Sequence, residues 1–197
     1  IRRQTGFATI AVACFVLLYL PILLLVAYSF NSGSSIAIWE GFSWRWYQSA
    51  WENELVQEAT VRSLIIAVWA SLISTTVAVL AALATTRTRK FKGQGAVFAM
   101  INQPLMVPEI VTAVALLIFF AMIKVATGYS GLLYLIIAHA AFCIPFAYLP
   151  IRARLQGMDL SLEQAAADLY ATPFQAFRRI TLPQLWPGIL AGAMLAF

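Results

Sequence analysis

Apolar residues occupy long blocks of the chain, and the charged residues lie mostly between these blocks. A helix needs about 20 apolar residues to cross the hydrocarbon core of a bilayer. The blocks therefore predict four full spans and the start of a fifth, at residues 7–30, 63–86, 96–123, 131–151 and 185–197. Because the sequence stops within the fifth block, we expect it to be a fragment of a longer protein.

The composition supports the same fold class. Hydrophobic residues make up 62% of the chain and charged residues 11%, whereas soluble domains contain about 25% charged residues. We therefore expect an all-α integral membrane protein, with residues 1–197 forming a single transmembrane domain. Cys14 and Cys143 fall within apolar blocks, and His139 has no partner at metal-ligand spacing. No metal site is predicted.

The positions of the basic residues predict the orientation. Segments that are cytoplasmic in multi-pass proteins are enriched in Lys and Arg. A cytoplasmic N-terminus places ten of the 13 basic residues inside, and only Arg45, Arg62 and Lys124 outside. The net charge of +5 thus reflects membrane topology, and nucleic-acid binding is not indicated. The ten are Arg2, Arg3, Arg87, Arg89, Lys90, Lys92, Arg152, Arg154, Arg178 and Arg179.

Residues 158–183 form the most polar patterned segment and lie between the fourth and fifth blocks. Ser161 and Gln164 have the spacing of a capping box, and Thr172 and Gln175 repeat that spacing around Pro173. This pattern predicts a helix, a tight turn and a second helix, which Pro183 should end.

The first of these helices is predicted to be amphipathic. Its polar face holds Glu163 and Asp168, and no basic residue follows until Arg178. A helix that lies on the lipid surface is usually rich in Lys and Arg, and anionic lipid repels an acidic face. The pattern therefore favours docking against a protein over adsorption to lipid. The apolar face comprises Leu162, Ala165, Ala166, Leu169 and Tyr170.

Glu109 is the only Asp, Glu, Lys or Arg residue within a predicted span. It lies near mid-bilayer if its helix is continuous, although Pro104 and Pro108 predict a kink or a break. Carboxylates at this depth usually face a bundle interior or a water path. A position for Glu109 and Pro108 on a substrate path and a structural role for Glu109 both remain open.

The segment between the first two predicted spans contains four of the six tryptophans, Trp44 and Trp46 among them. These residues are typical of an aromatic belt at the membrane interface. The alternative is a lip that contacts a substrate or an external partner.

The 158–183 segment resembles the EAA loop of permease subunits in bacterial type I ABC importers. That loop reads E-A-A, three residues, G, nine residues, I-x-L-P. Here Gln164, Ala165 and Ala166 stand at E-A-A, and Tyr170 stands at the glycine. The sequence at 180–183, ITLP, follows at the family spacing.

Further stretches resemble the spermidine/putrescine branch of these permeases. They are AYSFN at 27–31, GFSWRWY at 41–47, VPEIV at 107–111 and HAAFCIPFAYLPIRARL at 139–155. The resemblance implies a MetI-like helical bundle with six spans in the full protein. It also implies a multi-pass location in the bacterial cytoplasmic (inner) membrane.

The same resemblance implies the partners and the coupling residues. The partners are a second permease subunit, two cytoplasmic ATPase subunits that bind ATP, and an external solute-binding protein. No G-x-x-x-x-G-K-[ST] motif occurs here, so we expect no cofactor in this chain and no ATPase site of its own. The implied coupling residues are Glu163, Gln164, Ala165, Ala166, Asp168, Leu169, Tyr170, Ile180, Leu182 and Pro183.

Other functions remain open at this stage. The solute is expected to be a polyamine, with an amino acid, a metal chelate or a sugar as alternatives. A membrane-embedded enzyme needs clustered catalytic groups, and His139 and Glu109 fall in separate spans. An assembly subunit without a transport path is the third possibility.

Overall fold

The computed structural model describes residues 5–35, 38–88, 91–129 and 131–197, and within these ranges the protein is all-α, as predicted. Among the described residues, four helices are long and apolar enough to cross a membrane, over Thr9–Tyr28, Glu54–Thr86, Glu109–Thr127 and Leu132–Gln156. The helices are α1 (Thr5–Tyr28), α2 (Arg45–Glu52), α3 (Glu54–Thr86), α4 (Gln94–Met106), α5 (Glu109–Thr127), α6 (Leu132–Gln156), α7 (Ser161–Asp168), α8 (Pro173–Ala176) and α9 (Leu182–Ala196). A π turn, Phe177–Thr181, joins α8 to α9.

The region predicted as one span at 96–123 forms two helices. Helix α4 ends at Met106 and α5 begins at Glu109, with Val107 and Pro108 in extended conformations between them. The cause is Pro108, which lacks an N–H group and also disfavours helical geometry in the residue before it. Glu109 therefore occupies the first turn of a new helix.

The chain divides into two compact units, and the first is Ile1–Val61. Its organising residue is Asn31, which is buried. The side-chain amide of Asn31 donates to the carbonyl oxygens of Ser35 and Ile38, and its Oδ1 accepts from the backbone N–H of Glu40. These bonds fold the segment after α1 back on itself.

The second unit, Arg62–Phe197, has a core from α3, α6 and α9, in which alanines pack with Tyr148, Ile151, Leu155 and Leu185. Gly188 and Gly192 have the small-x-x-x-small spacing that lets membrane helices approach closely. A Cβ atom added at Gly192 would lie 2.8 Å from the carbonyl oxygen of Ala147, and one at Gly188 would lie 2.8 Å from Cβ of Arg154. The two glycines therefore permit the close contact between α6 and α9.

Three polar contacts fix the helices of this unit in register. Ser71 Oγ donates to the carbonyl oxygen of Ala193, and the hydroxyls of Thr85 and Tyr148 lie 2.9 Å apart. Nε of Arg154 donates to the carbonyl oxygen of Gln184. The C-terminal ends of α3 and α6 therefore lie at the same end of the unit as the start of α9.

The prediction that Pro183 ends the second helix of the patterned segment is wrong. Helical structure continues from Pro173 through the π turn into α9. The N–H of Leu182 bonds to the carbonyl oxygen of Phe177, five residues earlier, which is the π pattern. Because this wider turn changes the hydrogen-bond partners just before Pro183, the missing N–H of the proline does not interrupt the helix.

Candidate functional site: a coupling segment and a membrane cavity

The start of α7 differs from the sequence prediction. Ser161 is not the N-cap, and its side chain makes no capping bond to Gln164. Instead Oδ1 of Asp159 accepts from the backbone N–H of Ser161 at 2.9 Å. Backbone and side-chain hydrogen bonds from Ser161 lower the pKa of the Asp159 carboxyl. The backbone N–H of Gln164 donates to the carbonyl oxygen of Leu160, so α7 begins one residue earlier than predicted.

Helix α7 ends in a Schellman motif. The N–H of Ala171 bonds to the carbonyl oxygen of Ala166, and the N–H of Tyr170 bonds to that of Ala167. This motif needs a left-handed residue, and Tyr170 takes that role with φ of 58°. Tyrosine at the family's glycine position therefore keeps the turn, at a cost in backbone strain.

The predicted cap of the second helix is confirmed. The backbone N–H of Gln175 donates to Oγ1 of Thr172, and the backbone N–H of Thr172 donates to the Gln175 side chain. Pro173 follows at the first helical position, where its missing N–H costs no hydrogen bond. The short helix thus starts at a fixed point.

The predicted apolar face of α7 is divided. Ala166 is only 9% exposed, because it packs against its own chain. Contrary to the prediction, its methyl group therefore does not belong to an outward surface. Leu162, Leu169 and Tyr170 are exposed. Phe174 of α8 is exposed as well, so large apolar side chains project from this polar segment.

Glu163 also has a place that the sequence did not predict. Its Oε1 lies 3.0 Å from Nη2 of Arg87 and accepts a hydrogen bond from Oγ1 of Thr181. Glu163 is thereby held within the chain instead of projecting outward.

The other residues implied for coupling are spread over α7 and the start of α9. Gln164, Ala165 and Asp168 are exposed on α7. Ile180 and Leu182 are half-buried in the π turn and at the start of α9, whereas Pro183 is exposed. The outward surface of α7 and of the turn after it therefore consists of Gln164, Ala165 and Asp168 together with Leu162, Leu169 and Tyr170.

A cavity of about 600 Å³ lies between α5 and α6. Glu109 stands in the first turn of α5 and Lys124 in the last turn, where their charges match the helix dipole. The intervening walls are mainly apolar. The polar lining consists of Glu109, Thr112, Lys124, Tyr134 and His139.

Residues of both helices line this cavity on either side of an aromatic contact. The rings of Phe120 and Tyr134 stack at 4.9 Å. Glu109 lies eleven residues before Phe120 on α5, and the lining on α6 extends as far as Phe142.

The two tryptophans proposed as a lip are held in the first unit. Nε1 of Trp46 donates to the carbonyl oxygens of Asn31 and Gly33, so its polar atom is used within the loop. Trp44 packs edge-on against Phe30 and Phe42. These contacts give both rings a structural role, although Trp44 and Trp46 both remain exposed.

The family model described as "Binding-protein-dependent transport system inner membrane component" matches residues 74–197. The match contains the C-terminal part of α3 and the whole of α4 to α9. The chain belongs to this family.

Curated relatives are similar over most of the chain. "Putrescine transport system permease protein PotI" of Escherichia coli (strain K12) is 38% identical over 186 residues, which cover 93% of this chain and 66% of that protein. "Spermidine/putrescine transport system permease protein PotC" of Haemophilus influenzae is 38% identical, over 91% of this chain and 68% of the relative. PotC of E. coli (strain K12) is 36% identical, with 98% and 70% covered. The chain spans about two thirds of the length of these relatives.

Membership of this family agrees with the all-α membrane fold and with the sequence resemblance. Members of this family are inner-membrane components of transport systems. Together with the apolar helices of the described residues, this makes the chain a multi-pass membrane protein. Asn31, Arg87, Asp159 and Thr181 are structural residues that sequence reasoning missed. Of these, Asp159 had a local pattern, because an Asp side chain often accepts from the backbone N–H two residues further along the chain.

Proposed function

We propose that the chain is the permease subunit of an ABC importer for a polyamine such as putrescine or spermidine. ATP is bound and hydrolysed by partner subunits, and this chain has no catalytic role. The partners are a second permease subunit, two cytoplasmic ATPase subunits and an external solute-binding protein. The similarity to PotI and PotC supports this assignment.

The observation on which the proposal chiefly rests is the architecture of residues 158–183. Two short helices, each with a defined start, lie between α6 and α9 and expose Leu162, Leu169 and Tyr170. Exposed apolar side chains in a polar segment are typical of a protein interaction site. The segment fits a coupling helix that an ATPase dimer pushes when it closes.

The proposed orientation places the N-terminus and this segment in the cytoplasm. The contacts of Arg87 with Glu163 and of Arg154 with Gln184 bring two of the basic residues assigned inside to the end of the second unit that holds α7. Lys124, which is assigned outside, lies in the last turn of α5, which starts from Glu109. This arrangement supports the alternation that the basic residues predict.

The solute path is proposed to include Glu109 and Pro108. A carboxylate at the wall of an otherwise apolar cavity attracts a cation, and polyamines are cations at neutral pH. Lys124 lies fifteen residues further along α5, or about 22 Å at 1.5 Å per residue, so it does not pair with Glu109. A permease for an amino acid or a sugar is the second candidate, because Lys124 and His139 line the same cavity.

Co-purification tests the proposal. The full-length protein is expressed with its neighbouring gene products and isolated in detergent, and the ATPase activity of the complex is measured with putrescine, spermidine, an amino acid and a sugar. We expect an ATPase subunit to co-purify and its activity to rise with a polyamine and the binding protein. A permease that purifies without any ATPase subunit would contradict the proposal, whereas stimulation by an amino acid alone would support the second candidate.

A further inference from the structure

A single carboxylate joins three helical elements of the second unit. Glu163 lies in the first turn of α7, Arg87 directly follows the last residue of α3, and Thr181 ends the π turn before α9. The Oε1 atom of Glu163 lies 3.0 Å from both Nη2 of Arg87 and Oγ1 of Thr181. The position of α7 is therefore linked directly to the end of one apolar helix and to the start of another.

The burial of this contact makes it stronger than an ordinary surface ion pair. The side chains of Arg87 and Glu163 are 20% and 26% exposed, and Thr181 is buried. Exposed ion pairs contribute little to stability, but removing one partner of a buried pair leaves an uncompensated charge and is strongly destabilising. The Arg87–Glu163 pair lies between these limits.

The contact is also specific. Asp168, the other acid of α7, forms no ion pair with the described residues, and the same is true of Arg178 and Arg179. Within the described part of the chain, neither Nε nor Nη2 of Arg87 makes a hydrogen bond, so Nη2 contacts Glu163 as an ion pair. The Arg87 guanidinium thus depends on Glu163 for its charge partner.

We propose that Arg87 is a positioning residue for the coupling helix and acts through Glu163. The Arg87–Glu163–Thr181 contact fixes α7 to α3 and α9, so that a displacement of α7 moves both helices together. This inference rests on the proposed function, because it assumes that a partner ATPase displaces α7. It also changes the role of Glu163 from an ATPase contact to an internal link.

The first test measures the position of α7 directly. Spin labels at Thr88→Cys and Ala167→Cys, both exposed sites, are placed in the full-length protein after Cys14 and Cys143 are replaced by Ser. We expect a narrow distance distribution, a clearly wider one in Arg87→Glu, and a narrow one again in the charge swap Arg87→Glu/Glu163→Arg. Lys92→Glu is the matched control, because Lys92 is exposed and forms no ion pair with the described residues. An unchanged distribution in Arg87→Glu would overturn the proposal.

The second test measures coupling in the assembled complex with putrescine and the binding protein. Arg87→Glu should lower stimulated ATPase activity about ten-fold and the swap should recover it, since contacting residues show such coupling in double-mutant cycles. Glu163→Gln, which keeps an acceptor for Thr181, serves if the reversal prevents assembly, and it too should widen the distances. A swap as impaired as Arg87→Glu would refute the positioning role. The spin-label experiment needs neither solute nor ATPase. It therefore distinguishes a failure of the positioning role of Arg87 from a failure of the proposed function.

Discussion

At Tyr170 an aromatic residue adopts the backbone conformation that usually belongs to glycine. Its φ of 58° costs an L-residue roughly 1–2 kcal/mol, and its side chain is 97% exposed, so no packing within the chain offsets the cost. An exposed ring at this strained position is consistent with a surface that packs against a partner.

We expect Tyr170→Gly to stabilise the end of α7 by about 1 kcal/mol, because glycine adopts this φ without strain. Hydrogen exchange at the Ala171 amide, which bonds to the carbonyl oxygen of Ala166, should slow about five-fold for that free-energy gain. Leu169→Gly is the matched control: Leu169 has a φ of −87°, so this variant should exchange faster. Exchange in Tyr170→Gly that is equal to or faster than in the parent would contradict the strain argument.

Glu109 presents a choice between a substrate contact and a structural charge. At the start of α5 a carboxylate interacts with the helix dipole, which contributes typically 0.3–1 kcal/mol. A hydrogen bond from an ammonium group to the carboxylate contributes about 1.5–3 kcal/mol. The two roles therefore differ in their free-energy contribution. They also affect different properties, since a structural charge affects stability and a substrate contact affects uptake.

For Glu109→Gln we expect uptake of radiolabelled putrescine to fall about ten-fold or more, with only a small change in thermal stability. Glu109→Asp should be milder because it keeps the charge. Uptake is compared at equal expression, with substrate-independent ATPase activity as the folding control. Normal uptake by Glu109→Gln would assign Glu109 a structural role.

At the scale of the helix, α7 offers a matched pair of alanines. Ala165 is exposed and Ala166 is buried, although the two have the same side chain and are neighbours. A carboxylate at position 166 would be buried without a partner, at a cost of several kcal/mol. At position 165 the same carboxylate would reach solvent.

We therefore expect Ala165→Asp to keep its melting temperature, because a surface change usually alters stability by within about 0.5 kcal/mol. The same variant should lose most of the solute-stimulated ATPase activity, because position 165 lies on the proposed docking surface. Ala166→Asp should unfold at a clearly lower temperature. Thermal unfolding of the purified permease and ATPase assays of the complex measure the two effects. Full solute-stimulated ATPase activity in Ala165→Asp would show that position 165 does not belong to the docking surface.

The sequence predicted these elements to different depths. The hydrophobic blocks identified the apolar helices, and the capping box at Thr172 was predicted correctly because it depends only on local spacing. The Ser161 cap was wrong because the backbone N–H of Gln164, its expected donor, bonds to the carbonyl oxygen of Leu160 instead. The role of Glu163 was not predictable, since its partners Arg87 and Thr181 are distant in sequence and meet only through tertiary packing. The burial of Ala166 depends on the same packing.

At the scale of the whole molecule, the orientation in the membrane is a prediction of its own. In a variant with Cys14 and Cys143 replaced by Ser, we expect Gln175→Cys to resist an impermeant maleimide in intact cells and to react after permeabilisation. Ser49→Cys, in the segment assigned outside, should react in intact cells and serves as the matched control. Labelling of Gln175→Cys from outside would reverse the topology.

The central claim is that the chain forms the translocation path of a polyamine importer. The most direct measurement uses proteoliposomes that contain the full-length protein, its second permease subunit and the ATPase subunits, with ATP inside and the solute-binding protein outside. We predict that labelled putrescine or spermidine accumulates inside only when ATP is present. Accumulation of an amino acid or a sugar but of neither polyamine, by a complex that hydrolyses ATP, would contradict the claim.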